Sequence, residues 1–418
     1  MIAALALVAV LGLQAAPPAP QMAAGRRISD VRVHGNHTTP DARVLELAGV
    51  KAGDPASPDT PEQVEARLRA SGRFNDVEVL ARSRTLDGSD MALVILVRED
   101  YVVPIDTPRG AVAGVVRKIG NKPMFLPILD FSDYGFSYGA RASFVDVAGR
   151  GSRISIPFTW GAEKRVAAEY EHLFGGADRP FRADASASWR RRENPFYDVD
   201  DTRREASAGL AYQITRPLRA SARAGVTGVS FDDADERFPW GSVELTLDTR
   251  LDPNLPRQAV YASVRLEHLA FDHQPAANRV RTDLRGYLGL FGQSILAVRA
   301  LHVMSDTALP AFERTLVGGA STVRGSRFGY ASGDNLAAGS IEVRVPISSP
   351  LSVGRLGLSV FADVGAAYDR GTAIGDAAYR WGYGVGGFFS ATIFRFNLDV
   401  ATDGRGGARV HAASGFRF

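Results

Sequence analysis

From about residue 110 onward the chain is written in a two-residue period. Ile154, Ile156, Phe158 and Trp160 alternate with Arg153, Ser155, Pro157 and Thr159. Ile341, Val343, Val345 and Ile347 alternate with Glu342, Arg344 and Pro346, and Phe394, Phe396, Leu398 and Val400 with Arg395, Asn397 and Asp399. Successive side chains of a strand point to opposite faces, so each segment has one apolar and one polar face. A soluble sandwich turns the apolar faces inward; a transmembrane barrel turns them to lipid and the charged faces to a wet lumen. Alternation alone does not separate the two, but length helps. The roughly 310 residues from 110 to 418 hold sixteen such segments, about 19 residues per strand plus connection, as membrane barrels require. They fall near 122–131, 134–147, 151–160, 164–174, 181–192, 202–214, 218–230, 240–250, 258–270, 279–290, 293–304, 338–347, 356–368, 378–390, 392–402 and 408–418. The expected fold is an all-β transmembrane barrel of about 16 antiparallel strands over 110–418. An even number returns both barrel ends to the same side.

No internal run of about 18 apolar residues exists, so no transmembrane helix is expected. The 49 basic residues nearly balance the 46 acidic ones, which gives no argument for a nucleic-acid partner. Cysteine is absent, which excludes disulfides, thiol catalysis and thiolate metal sites. Met1 to Leu13 is apolar but too short to span a bilayer, and a small, proline-rich stretch follows from Gln14 to Ala24. Residues 1–24 read as a signal peptide and linker; the alternative is a buried hydrophobic strand or helix.

Residues 26–101 read as a separate α+β module. Val31 and Val33 mark a half-buried strand, and Gly35-Asn36 a turn. Thr39-Pro40-Asp41 starts a short helix that ends near Gly49, with Val44, Leu45 and Leu47 as its apolar stripe. Thr60-Pro61-Glu62-Gln63 is a capping box for a second helix, stopped by Gly72. Two strands joined by a turn at Asp87-Gly88 complete a βααββ order. The module resembles a POTRA (polypeptide-transport-associated) domain through Val31-Arg32-Val33-His34-Gly35-Asn36, Gly53-Asp54, Ser71-Gly72-Arg73-Phe74 and Val97-Arg98-Glu99.

Between the eleventh and twelfth segments lies a long glycine-rich loop, with Leu316 to Tyr330 at its centre. Long loops between strands are usually functional. Its Val323-Arg324-Gly325 resembles the V-R-G-aromatic motif of BamA/TamA-type outer-membrane assembly proteins, and Phe361-Ala362-Asp363-Val364-Gly365 resembles that family's F-x-D-x-G motif. The resemblance implies that this is the sixth extracellular loop, that Arg324 folds into the lumen, and that it pairs with Asp363. Glu342, inward on the neighbouring strand, is a further member. Gly318, Gly319 and Gly325 would let the loop approach the wall. The departure is Ser326, where the family usually carries an aromatic; Phe328 offers a ring two residues on. Phe416 and Phe418, on one face of the last segment, resemble the C-terminal signal of outer-membrane barrels.

Enzyme signatures are missing: the seven histidines form no H-E-x-x-H, and no nucleophile elbow or Walker loop occurs. No metal or cofactor is implied. Asp232, Asp233, Asp235 and Glu236, like Asp198, Asp200 and Asp201, suit a solvated acidic loop better than a cation site. Tyr379, Trp381 and Tyr383 read as part of an interfacial girdle in a barrel. The leading functional expectation is insertion or translocation of polypeptides at the outer membrane. Its partners are outer-membrane lipids and unfolded polypeptide clients or a periplasmic partner met by the POTRA module. The first and last strands would form a seam that opens laterally, weakened by Gly382, Gly384, Gly386 and Gly387. The alternatives are a passive, porin-like channel and a surface antigen on the same scaffold. Oligomeric state is left open.

Overall fold

The computed structural model describes residues 27–34, 39, 41–71, 73–83, 90–99, 123–149, 151–174, 181–215, 217–250, 256, 258–291, 294–347, 354–391 and 395–414. The signal-peptide expectation, the turns at Gly35-Asn36 and Asp87-Gly88, Gly72 and the terminal Phe416 and Phe418 lie outside the described residues.

The N-terminal module has the expected order: β1 (Arg27–His34), α1 (Asp41–Ala48), α2 (Thr60–Ala70), β2 (Phe74–Ser83) and β3 (Asp90–Glu99). β3 is central, parallel to β1 and antiparallel to β2. Val44 of α1 and Val64 and Leu68 of α2 bury against Ile28, Leu93 and Ile95 of the sheet. Gly49 ends α1 in the left-handed region, its N–H bonded to the Leu45 carbonyl at 2.9 Å. The capping box does not form as expected. α2 begins at Thr60 itself, preceded by Asp59, with no side-chain cap. The Thr60 hydroxyl instead accepts the Ser57 N–H at 2.8 Å, which pins the entering loop rather than the helix end.

Sixteen antiparallel strands form the second unit: β4 (Pro123–Ser132), β5 (Gly135–Val145), β6 (Ser152–Gly161), β7 (Glu163–Phe174), β8 (Phe181–Asn194), β9 (Val199–Thr215), β10 (Leu218–Phe231), β11 (Ala234–Asp248), β12 (Ala259–Leu269), β13 (Ala277–Gly289), β14 (Ile295–Ser305), β17 (Asn335–Ile347), β18 (Gly354–Tyr368), β19 (Arg380–Ala391), β20 (Arg395–Thr402) and β21 (Arg409–Ser414). The two missing numbers, β15 (Thr315–Val317) and β16 (Ala331–Gly333), are a small hairpin inside the long loop. Every sequence segment has its strand. The largest boundary difference is β11, which starts at Ala234 because β10 and β11 join through a tight turn at Asp232 and Asp233, Asp232 taking φ 52°.

Strand faces divide as the alternation requires. Phe158, Trp160, Leu210, Leu358, Val360, Trp381 and Tyr383 stand exposed on the outer wall, while Ser155, Asp201, Asp283, Glu342, Asp363 and Asp399 are buried on the inner one. An apolar outer surface with a charged interior is the inverse of a soluble core, and it suits a lipid surround. The sheet is nearly closed. Among the described residues β4 and β21 share no backbone ladder; they meet through Ser414, whose hydroxyl accepts the Phe131 N–H at 3.1 Å.

Candidate functional site

The connection from β14 to β17 does not extend away from the barrel. It enters the lumen and is fixed at both its base and its tip. At the base, a 3₁₀ turn (Ala311–Glu313) drives Phe312 into an apolar cluster with Phe231, Phe238 and Phe271 from the β10–β13 hairpins. Beside it, the Glu313 carboxylate meets Arg203 of β9 at 2.6 Å and Arg279 of β13 at 3.0 Å. Burial alone would raise the Glu313 pKa, but the two guanidinium groups outweigh it and hold it below the ordinary range.

At the tip, Arg324 is 1% exposed and donates from all three nitrogens of its fork. Nε and Nη2 reach the two oxygens of Asp363 at 2.8 and 3.0 Å, and the Arg324 backbone N–H adds a third bond to Asp363 at 3.0 Å. Nη1 is shared between Glu342 at 2.8 Å and Asp399 at 3.1 Å. The guanidinium lies over the Phe361 ring, 3.1 Å from its centroid. Ser340 and Arg344 complete the surround by donating to Asp363 at 2.7 Å and Glu342 at 2.6 Å. Burial would weaken this loop arginine's hold on its proton, but the Asp363 bonds and the charges of Glu342 and Asp399 more than reverse that. Arg324 is therefore a permanent cation held by carboxylates on β17, β18 and β20.

Sequence reasoning named Arg324, Asp363 and Glu342, and the structure brings all three together. It missed Asp399 as a member, although the alternation of β20 already turned that residue inward. Asp133, in the β4–β5 turn, carried no signal: its carboxylate accepts the Ala320 and Ser321 N–H groups at 2.5 and 3.0 Å. His411 of β21 accepts the Gly325 N–H through Nε2 at 2.9 Å.

Gly318, Gly319 and Gly325 all have positive φ. At Gly325 a Cβ would also lie 2.5 Å from the Thr402 backbone, and at Gly319 one would lie 2.2 Å from Asp133. Ser326 is buried with its hydroxyl unpartnered, and the nearby ring is Phe328, which packs edge-on against Tyr134 with centroids 5.1 Å apart.

Three further expectations change. Gly382, Gly384 and Gly386 face inward and make room: a Cβ there would meet the Arg324 carbonyl at 1.7 Å, the Val400 carbonyl at 2.1 Å and Asp399 at 1.9 Å. They accommodate the loop and its carboxylates, so they are not evidence of a weak seam. Of the acidic residues read as solvated, Glu236 is buried and accepts the Asp272 and His273 N–H groups at 2.6 and 2.8 Å. Asp201 is likewise buried, bridging Arg203 and Arg192. Among the described residues no cluster of three acidic or histidine side chains is placed to hold a metal ion.

A sixteen-strand barrel with an apolar outer wall, its lumen entered by a loop held through a buried arginine, defines a transmembrane β-barrel of the outer-membrane type. Residues 146–418 match the model of the Omp85 superfamily domain, and the chain belongs to that superfamily. Residues 26–100 match the POTRA model, described as a surface antigen variable number repeat. No curated protein matches the chain. Among solved structures, BamA from Haemophilus ducreyi lacking POTRA domains 1–3 is similar, with TM-score 0.60 at 13% identity, covering 93% of this chain and 85% of that one. CdiB from Acinetobacter baumannii follows (TM-score 0.52, 12% identity, 93% and 73% covered), as does CdiB from Escherichia coli (0.51, 12%, 96% and 93%). At these identities the likeness is one of fold. The superfamily barrel places the chain in a bacterial outer membrane with its POTRA domain on the periplasmic side. The family acts in outer-membrane protein insertion and translocation, and its members are not enzymes.

Proposed function

We propose that this chain assists the insertion or translocation of polypeptides at the outer membrane, as a POTRA-bearing barrel whose lumen is closed by the Arg324 loop. The observation that carries the reading is the loop itself. A passive pore gains nothing from filling its lumen with a segment fixed by one arginine to three carboxylates. A transport device gains a plug that also braces the wall from β17 to β20. Residues 26–101 act as the periplasmic receiver. Among the described residues no further strand pairs with the outer edges of β1 and β2; β1 is covered only at its start, where Ile28 pairs with Gly53 and Asp54, so an extended client segment can add by backbone pairing. The 110–418 barrel then passes the client to lipid through the β4–β21 seam.

Depletion of the protein in its native host tests the reading: specific outer-membrane proteins should fall in abundance. An unchanged outer-membrane proteome would favour the porin-like or surface-antigen alternative. So would a large, steady conductance insensitive to loop substitutions.

A further inference from the structure

On β8 to β11 the outer wall changes character along one row of cross-strand neighbours. Trp189 of β8 faces Arg204 of β9, and Gly228 of β10 faces Arg204 on one side and Arg237 of β11 on the other. Their chain neighbours turn into the lumen: Arg203 reaches Glu313, and Val229 and Phe238 join the cluster around Phe312. Arg204, Gly228 and Arg237 therefore point outwards. Below this row the outward positions of β8 to β11 carry no charge, and Leu210, Val243 and Leu245 stand exposed there. Phe181 and Tyr212 stack at the lower edge, with centroids 4.4 Å apart. From Tyr212 up to Arg204, β9 climbs roughly 20 Å at about 3.3 Å per residue and a tilt of about 40°, close to an apolar band of about 25 Å. The two arginines thus sit where the band ends and headgroups begin. The POTRA domain is periplasmic and precedes β4, so the Pro123 end of β4 faces the periplasm and the start of β9 faces outside. The row lies at the outer leaflet.

Arg204 and Arg237 are exposed, and among the described residues neither has an ion-pair or hydrogen-bond partner. Other cations of this rim are occupied: Arg191 pairs with Asp200, and Lys164 lies over the Trp160 ring, 4.8 Å from its centroid. Between the two arginines Gly228 leaves a notch, where a Cβ would meet only the Arg204 carbonyl, 3.9 Å away. We propose that Arg204 and Arg237 close from two sides on one phosphate of an outer-leaflet lipid, with Gly228 as the floor of the site and Trp189 beside it. Two strand spacings, about 9.6 Å, separate the arginine backbones, which lets both long side chains meet over one tetrahedral anion. Each guanidinium offers a planar fork that matches phosphate oxygens in pairs. A phosphomonoester supplies three acceptor oxygens and nearly two charges, enough for both forks. A diester phospholipid has fewer free oxygens and a single charge. The site therefore fits a lipid with a terminal phosphate, the lipid A class of glycolipid. The acids of this face, Glu193, Asp200 and Asp235, stand further out along the strands.

Native mass spectrometry of the full-length protein in detergent, titrated with diphosphorylated lipid A, tests the site. One copy should bind at least about tenfold more tightly than phosphatidylglycerol. Arg204→Gln and Arg237→Gln should each weaken it about tenfold, the worth of one charge-assisted hydrogen bond. Gly228→Leu fills the notch with a side chain suited to the lipid face and leaves the charge unchanged, and it should weaken binding as much. Lys164→Gln, on the same rim, should stay within about twofold of wild type, the net worth of an exposed charge. Equal retention of lipid A and its dephosphorylated form, or of lipid A and phosphatidylglycerol, overturns the proposal. So does wild-type affinity in Gly228→Leu, which would leave only a general attraction of anions to the rim. Displacement of the lipid by millimolar inorganic phosphate would assign the site to the free ion and overturn it as well. Lipid binding is read without any client, so a failure here is distinct from a failure of the assembly function.

Discussion

Arg324→Ala removes the cation from a site where Asp363, Glu342 and Asp399 are 1%, 3% and 4% exposed. Taking one partner from a buried ion pair costs about 3–5 kcal/mol, because the remaining charge is stranded. Arg344 stays on Glu342 at 2.6 Å and tempers the loss. The desolvated stacking on Phe361, worth about 2 kcal/mol, is lost as well. A central figure is about 4 kcal/mol, or roughly a thousandfold in the loop-seating equilibrium. Hydrogen exchange of residues 315–333 reads that equilibrium directly, since the Arg324 and Gly325 amides donate to Asp363 and His411. Asp363→Ala should cost less, about 2 kcal/mol, because Arg324 keeps Glu342 and Asp399. The double variant should be no worse than Arg324→Ala, since it leaves one carboxylate fewer stranded. Losses that add to within about 0.5 kcal/mol would refute the pairing, and so would an acceleration below about tenfold in Arg324→Ala.

Gly382→Val should expel the tip as effectively as removing the arginine, because a Cβ at 382 would lie 1.7 Å from the Arg324 carbonyl; the same exchange measurement checks it. Glu313→Gln should loosen the loop base without releasing the tip, seen as faster exchange confined to residues around 309–315. Because the folded Glu313 pKa is depressed by Arg203 and Arg279, its contribution is complete above the unfolded value of about 4.3 and disappears as pH falls through the folded one. Protection at the base should therefore hold at pH 7 and 5 and decay at lower pH, and the wild-type-minus-Gln difference should vanish there. In planar bilayers the intact protein should show small, flickering conductance. Removal of residues 319–328 should give a larger and steadier one, and equal conductance would argue against a luminal plug.

Much of the architecture was legible because barrel strands carry their own signature. Each strand pairs with chain neighbours, so period-two alternation plus turn residues was enough to count sixteen and to place the long loop at the eleventh connection. The errors came where a local pattern met a tertiary demand. Asp232 to Glu236 looked like one solvated loop, but the strand begins inside it and sends Glu236 to the interior. The β19 glycines looked like weak points, because nothing local shows that a carbonyl of a loop more than fifty residues away passes over Gly382, or that β20 crowds Gly384 and Gly386.

The sequence by itself determined the class of fold, the inward set of each strand and, through the motif resemblance, the Arg324–Asp363 partnership. Only the tertiary structure decided that the arginine is shared among three strands, and that Asp133 of the β4–β5 turn and His411 of β21 both hold the loop. The physical reason is closure. Alternation is a property of one strand and can be read along the chain. Curling the sheet until its first and last strands meet brings together residues some 280 positions apart, such as Phe131 and Ser414, and no periodicity along the chain records which of them will touch.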